Sequence, residues 1–140
     1  MKTIETPQPL FPHWMRGFLL LAMAYNVAWG AFIFWYPSTF YQWVTTFNTD
    51  APSIIIWQGR FAALMGFLYL FGALYPRRFW YLILVGAATK IVGGIWFYIN
   101  ILDRQPEKSG LFHLIMNDGV WVPILLFIGF KAYSIRNEKI

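Results

Sequence analysis

The chain has 140 residues, enough for one domain, but its composition is not that of a soluble domain. Hydrophobic residues make up 59% of it, aromatic residues 21% and charged residues 12%, whereas about a quarter of a soluble chain is charged. Such high apolar content excludes a disordered chain. The absence of cysteine excludes disulfides, thiolate metal sites, iron–sulfur clusters and cysteine nucleophiles.

Four apolar runs follow one another along the chain, over residues 17–36, 54–75, 79–102 and 111–133. Each is long enough, at about 1.5 Å per residue, to cross a hydrocarbon core of about 30 Å. None has a polar stripe that would face water in a soluble bundle. The first run is too long for a signal peptide. The sequence therefore predicts an all-α membrane protein, a single integral membrane domain over residues 1–140 that folds as an antiparallel four-transmembrane-helix bundle.

The connections between these runs carry their own signals. The turn Pro76-Arg77-Arg78 is so short that the second and third spans are expected to be antiparallel neighbours. In the first loop, Phe40, Trp43, Val44 and Phe47 recur at helical spacing, which predicts a short helix over 39–47 lying in the outer membrane interface. The alternative is an irregular loop in an aromatic belt.

The basic residues outside the spans are distributed unevenly. Seven fall on the side of the two termini and two on the other side: Lys2, Arg16, Arg77, Arg78, Lys131, Arg136 and Lys139 against Arg104 and Lys108. The positive-inside rule then predicts an inner (plasma) membrane protein with both termini in the cytoplasm. Because topology explains these cations and they are split among short flanks, nucleic acid is not an expected partner.

A few polar residues lie inside the apolar runs: Asn26, Arg60, Lys90, Asn117 and Asp118. A charge costs about 2.5–3.5 kcal/mol at the centre of a span, so the charged side chains are expected to face inward and pair. Counting residues from the outer ends puts Arg60 and Asp118 at one depth, which predicts a pair between them, and puts Lys90 deeper. Two cations against one acid would leave a site of net charge +1.

Small residues on the third span predict close approach of a neighbouring helix beside Lys90. They lie four residues before it and three and four residues after it: Gly86, Gly93 and Gly94. Gln58 lies about 200° around the helix from Arg60, so it is left out of the predicted site.

Pro123 cannot donate a hydrogen bond to the carbonyl of Gly119 and is expected to bend the fourth span. The freed carbonyl would then be able to bind water or a ligand. The alternative is an ordinary proline of the kind that membrane helices tolerate.

The remaining candidates are aromatic rings and histidines. Tyr25 and Trp121 lie deeper than the other aromatics and are predicted to line a cavity, which His113 would extend outward because it shares a helix face with Asn117. An ordinary interfacial histidine is the alternative. His13 and His113 belong to opposite ends of the bundle, about 30 Å apart, and cannot clamp one haem. No metal-ligand spacing, phosphate loop or catalytic triad appears, so no catalytic residue or metal site is predicted.

The stretch over residues 58–78, QGRFAALMGFLYLFGALYPRR, resembles the DoxX-like superfamily of small four-helix bacterial membrane proteins. The likeness lies in a glycine-rich second span, a short proline turn and a small-residue third span, and runs loosely over most of the chain. It implies a link to quinone-coupled sulfur oxidation or to membrane redox-stress complexes. The residues it would carry over are Arg60 and Lys90, with no assigned roles.

Together these features predict a membrane protein that binds a lipophilic or anionic ligand, a quinone or a lipid head group, in an outer-half polar pocket. Arg60 and Lys90 would donate charge-assisted hydrogen bonds to it, and Asp118 would hold Arg60 or accept a proton. The lipid bilayer and other membrane subunits or further copies of the chain are the expected partners. Two alternatives remain: a membrane enzyme that uses Lys90 or Asp118 as acid or base, which the resemblance would make a quinone-linked oxidoreductase, and a structural subunit whose charges only fix helix packing.

Overall fold

The computed structural model describes residues 10–138, and all regular secondary structure within this range is helical. The elements in chain order are α1 (His13–Trp35), α2 (Pro37–Thr45), α3 (Ser53–Leu74), α4 (Trp80–Asn100), α5 (Lys108–Leu114), a π-helical segment (Ile115–Gly119) and α6 (Trp121–Ser134). Prolines mark several of the starts, since Pro12 and Pro52 directly precede α1 and α3 and Pro37 begins α2.

Four stretches are long and apolar enough to cross a membrane: α1, α3, α4 and the continuous segment Lys108–Ser134. They match the four predicted spans to within a few residues at each end, and the chain is a multi-pass membrane protein. A helix also occupies Pro37–Thr45, where the first-loop pattern predicts one over 39–47.

Helices α1 and α3 pack together through glycine. A Cβ atom on Gly30 would lie 2.5 Å from the backbone nitrogen of Ala63 and 2.6 Å from the carbonyl oxygen of Gly59. A Cβ on Gly66 would lie 2.8 Å from Val27. The two backbones therefore meet directly, which is the way in which helices associate inside a membrane where burial of apolar surface gives no driving force.

The other helix contacts combine a small residue with a large one. Gly86 of α4 receives the ring of Tyr69, and Gly129 of α6 receives the side chain of Leu84. The prediction of a small-residue face around Lys90 holds for Gly86 and Gly94, each of which has a side chain packed on it. It is wrong for Gly93, which has no heavy atom within 4 Å of its Cβ position, because this residue points away from the neighbouring helices.

The outward faces carry bulky apolar side chains, as expected of a surface that contacts acyl chains. The most exposed of them include Leu21, Phe61, Leu64, Val92, Phe127 and Phe130. Most polar side chains lie at the ends of the long helices, whereas Asn26, Lys90 and His113 are buried within them. Buried polar groups of this kind are candidates for a functional site in a membrane protein.

Candidate functional site

Lys90 and Asp118 form an ion pair between α4 and the π-helical segment. The Lys90 ammonium nitrogen lies 3.9 Å from Oδ1 of Asp118, and the two side chains are 6% and 15% exposed. The same nitrogen donates a 2.6 Å hydrogen bond to the backbone carbonyl oxygen of Asn117. One cation is thus shared between a carboxylate and a main-chain carbonyl in the interior of the bundle.

The Asn117 carbonyl that accepts this bond lies in the wide turn of the π-helical segment. The backbone N–H of Val120 donates a 2.9 Å hydrogen bond to the carbonyl oxygen of Ile115, five residues back, whereas an α-helix would use the carbonyl four residues back. Side chains then bond to two carbonyls of the segment: Lys90 to that of Asn117, and the indole N–H of Trp121 to that of Met116 over 2.9 Å. The π-helical segment ends at Gly119, four residues before Pro123, and the bend predicted at this proline stays a prediction.

Both carboxylate oxygens of Asp118 have close neighbours. The side-chain amide of Asn117 donates to Oδ1 over 3.1 Å. The other oxygen, Oδ2, faces Gly94, where a Cβ atom would lie 3.3 Å from it. Glycine at this position gives the carboxylate the room it needs against α4.

Two aromatic rings from other helices complete the surroundings of Lys90. The rings of Tyr25 and Trp121 lie 4.9 Å apart between centroids, and the Lys90 nitrogen is 6.0 Å from each centroid, at the outer limit of a cation–π contact. The structure therefore brings together Lys90, Asn117, Asp118, Tyr25 and Trp121, which sequence reasoning had placed in one site. They come from α1, α4, the π-helical segment and α6.

A groove of about 440 Å³ lies over this pair, between α4 and the fourth span. Its lining residues are Lys90, Ile91, Gly94, Ile95, Tyr98, Leu114, Asp118, Gly119, Val122 and Pro123. Ile91, Ile95 and Pro123 are exposed, so the groove opens sideways toward the acyl chains and not only toward a helix end. We call it the lateral groove.

Arg60 lies outside this site, and the predicted pair between Arg60 and Asp118 is wrong. Arg60 is exposed on α3, with its guanidinium carbon 4.6 Å from the Trp57 ring centroid and 5.1 Å from that of Phe34. The preceding residue, Gly59, packs against α1, whereas Arg60 points away from the bundle. The expected excess cation is absent, and the lateral groove contains one base and one acid.

Asn26 and His113 also lie apart from the lateral groove. The Asn26 amide donates a 2.8 Å hydrogen bond to the carbonyl of Ala22 in its own helix. The His113 ring is buried against Phe40 and Phe97, with centroid distances of 4.9 and 5.1 Å, and its Nδ1 has no hydrogen-bond partner within residues 10–138. Neither side chain lines the groove.

Sequence reasoning missed the apolar walls of the groove and one inward-facing polar residue. On the α4 side, Gly94 was predicted to lie beside Lys90, but the other lining residues were not: Ile91, Ile95 and Tyr98. They follow Lys90 by one, five and eight residues, a spacing that places them on the same side of the helix. Gln58, excluded because it lies opposite Arg60, has its side-chain oxygen buried without a hydrogen-bond partner in the described part of the chain.

Comparison of the chain with family models, with curated proteins and with solved structures gives no match. The resemblance to the DoxX-like superfamily therefore stays a prediction.

Proposed function

We propose that this protein binds a lipophilic molecule with a neutral, hydrogen-bonding head group, such as a quinone, in the lateral groove. One observation carries the proposal: a buried ion pair lies at the base of a groove that opens toward the lipid. Ionisable side chains are expensive inside a membrane and commonly mark functional sites there. A ligand would enter from the acyl-chain region and place its head group against Lys90 and Asp118.

The hydrogen-bonding capacity of the pair suits a carbonyl or hydroxyl group. An ammonium group has three donors, and the bond to the Asn117 carbonyl uses one of them. A ligand carbonyl would accept from Lys90, and a ligand hydroxyl would donate to Oδ2 of Asp118. The volume of about 440 Å³ is in the usual range for small-molecule sites.

The charge balance favours a neutral head group over an anionic one. With Arg60 facing outward, the groove contains one positive and one negative side chain, Lys90 and Asp118. An anion would meet the carboxylate as well as the ammonium group, whereas a neutral carbonyl can accept from Lys90 without being repelled as an anion, and a neutral hydroxyl group can bond to both. Of the two ligand classes that the sequence suggests, a quinone therefore fits better than an anionic lipid head group.

The wider setting of this proposal comes from the sequence. We propose that the four spans are antiparallel, that α2 lies in the outer interface and that both termini lie in the cytoplasm. The distribution of basic residues supports this orientation. We further propose that the protein acts as an accessory subunit of a larger membrane assembly. The resemblance to the DoxX-like superfamily supports that role.

Two adjacent glycines of α4 test the groove directly. Gly94 lines it and Gly93 does not. We expect Gly94→Leu to lower the affinity for decylubiquinone at least about tenfold, because the leucine would occupy the space of the head group and displace Asp118. Gly93→Leu adds the same side chain one residue away and is expected to leave the affinity within about twofold.

The purified, detergent-solubilised protein is titrated with decylubiquinone, and microscale thermophoresis measures the affinity. Circular dichroism of both variants establishes that they remain helical. Equal affinities for wild type, Gly93→Leu and Gly94→Leu would contradict the proposal, as would absence of binding to the wild type.

A further inference from the structure

A second groove lies at the other end of the bundle, where α1 begins and the chain turns from α3 into α4. Its volume is about 460 Å³, and its lining residues include four basic ones, His13, Arg16, Arg77 and Arg78, although most of the groove surface is apolar. Apolar side chains form the rest, among them Leu10, Leu74 and Tyr75. We call it the basic groove, and it shares no lining residue with the lateral groove.

Arg16 is fixed in position without losing its charge. Its Nη1 donates to the carbonyl oxygens of Ala73 and Leu74, over 2.6 and 3.2 Å. These carbonyls belong to the last turn of α3 and have no partner within the helix, so the arginine caps it. A carbonyl dipole orients a guanidinium group but does not neutralise it, and the other donors of Arg16 stay available.

The two arginines of the turn are also left without an acid. Arg77 donates to the backbone carbonyl of Glu138, and the guanidinium carbon of Arg78 lies 5.4 Å from the Phe79 ring centroid. Within residues 10–138, the ion pair with an N–O distance under 4.0 Å is that of Lys90 and Asp118. Three arginine residues therefore line one groove, and none of them pairs with a carboxylate within residues 10–138.

We infer that the basic groove binds the phosphate of an anionic phospholipid. Guanidinium groups match phosphate oxygens with paired hydrogen bonds, and basic pockets at the ends of membrane helices bind anionic lipid head groups. The groove lies at helix ends, which is the level of the head groups, and Leu74 and Tyr75 give it an apolar wall for the glycerol and the first acyl carbons. Its small volume suits a head group better than a segment of another protein.

The test compares two pairs of charge-removing substitutions at the same end of the helix bundle. Arg77→Gln/Arg78→Gln removes two cations of the basic groove, and Lys131→Gln/Arg136→Gln removes two cations that do not line it. Arg16 is left intact because it caps α3. Native mass spectrometry of the full-length protein, released from micelles with equal phosphatidylglycerol and phosphatidylcholine, reports the lipids that stay bound.

We expect the wild type to retain one phosphatidylglycerol in preference to phosphatidylcholine, and Arg77→Gln/Arg78→Gln to lower that occupancy about tenfold. The Lys131→Gln/Arg136→Gln control should change it less than about twofold, and millimolar inorganic phosphate should not displace the lipid. An equal loss in both double variants would overturn the proposal, because the preference would then come from the general charge of that end. Absence of lipid preference, or displacement by free phosphate, would overturn it as well.

Discussion

Lys90→Met is expected to lower the affinity for decylubiquinone at least about tenfold, because it removes one charge-assisted hydrogen bond to the head group. It also removes the bond to the Asn117 carbonyl and leaves Asp118 without its cation. Breaking a buried pair by removing one partner commonly costs about 3 kcal/mol or more. The single variant is therefore expected to be less stable as well as unable to bind, and the two effects have to be separated.

The double variant Lys90→Met/Asp118→Asn separates them. It removes both charges, so no uncompensated ion remains between α4 and the π-helical segment, and most of the stability lost in Lys90→Met should return. Binding should stay lost, because the donor to the ligand is still absent. Arg60→Met is the matched control: it removes a cation from a membrane span outside the lateral groove, and the affinity should not change.

The measurements are decylubiquinone titrations and thermal unfolding in the same detergent. If Lys90→Met binds like the wild type, or if binding returns with stability in the double variant, the ion pair only fixes helix packing. The structural alternative would then be preferred. An enzyme would differ from a binding subunit only in turnover, so both would lose function in Lys90→Met.

Gly30→Ala is expected to destabilise the protein by about 3 kcal/mol, the upper range for an overpacked site. The new Cβ would lie 2.5 Å from the Ala63 nitrogen and 2.6 Å from the Gly59 oxygen. Both are backbone atoms that cannot rotate away, so α1 and α3 would have to separate along their contact. Because α1 also carries Tyr25 toward Lys90, the rearrangement should reach the site.

Gly93→Ala is the control for this substitution. It adds the same methyl group in the middle of a membrane helix, where no heavy atom lies within 4 Å of the new Cβ. Its stability should equal or slightly exceed that of the wild type, since alanine favours helix more than glycine does. Thermal unfolding followed by circular dichroism compares the two, and a Gly30→Ala protein as stable as Gly93→Ala would contradict the direct backbone contact of α1 and α3.

The spans were predictable because length and composition alone decide them, and the positions of the four long helices follow the apolar runs. Depth along a span was less informative, because it put Arg60 level with Asp118 and Lys90 deeper, whereas Lys90 is the residue that pairs with Asp118. Depth does not give the direction in which a side chain points, which is why Arg60 was assigned to the wrong partner.

The direction of the α3 side chains was nevertheless present in the sequence. Successive residues turn by about 100°, and the buried positions of α3 define an arc that includes Gly59 and Gly66. Gln58 lies within about 60° of the centre of that arc, whereas Arg60 lies about 140° from it. The glycine pattern would have identified Gln58 as the inward residue and Arg60 as the outward one.

The π-helical segment was not predictable in the same way. Pro123 indicated a missing hydrogen bond near this point, but the wide turn at Ile115–Gly119 also accepts a bond from a residue distant in sequence. Lys90 bonds to one of its carbonyls from another helix, at a separation of 27 residues in the sequence. Such a turn depends on tertiary contacts that no local pattern encodes.

The most direct test of the lateral groove is photolabelling of the protein in native membranes with a diazirine-bearing quinone analogue, followed by mass-spectrometric mapping of the labelled residues. We expect labels on the groove walls, Ile91, Ile95 and Val122, and their loss when unlabelled decylubiquinone is added in excess. Labels spread over the exposed apolar residues of α3, such as Phe61 and Leu64, and unaffected by competition would contradict a specific site at Lys90 and Asp118.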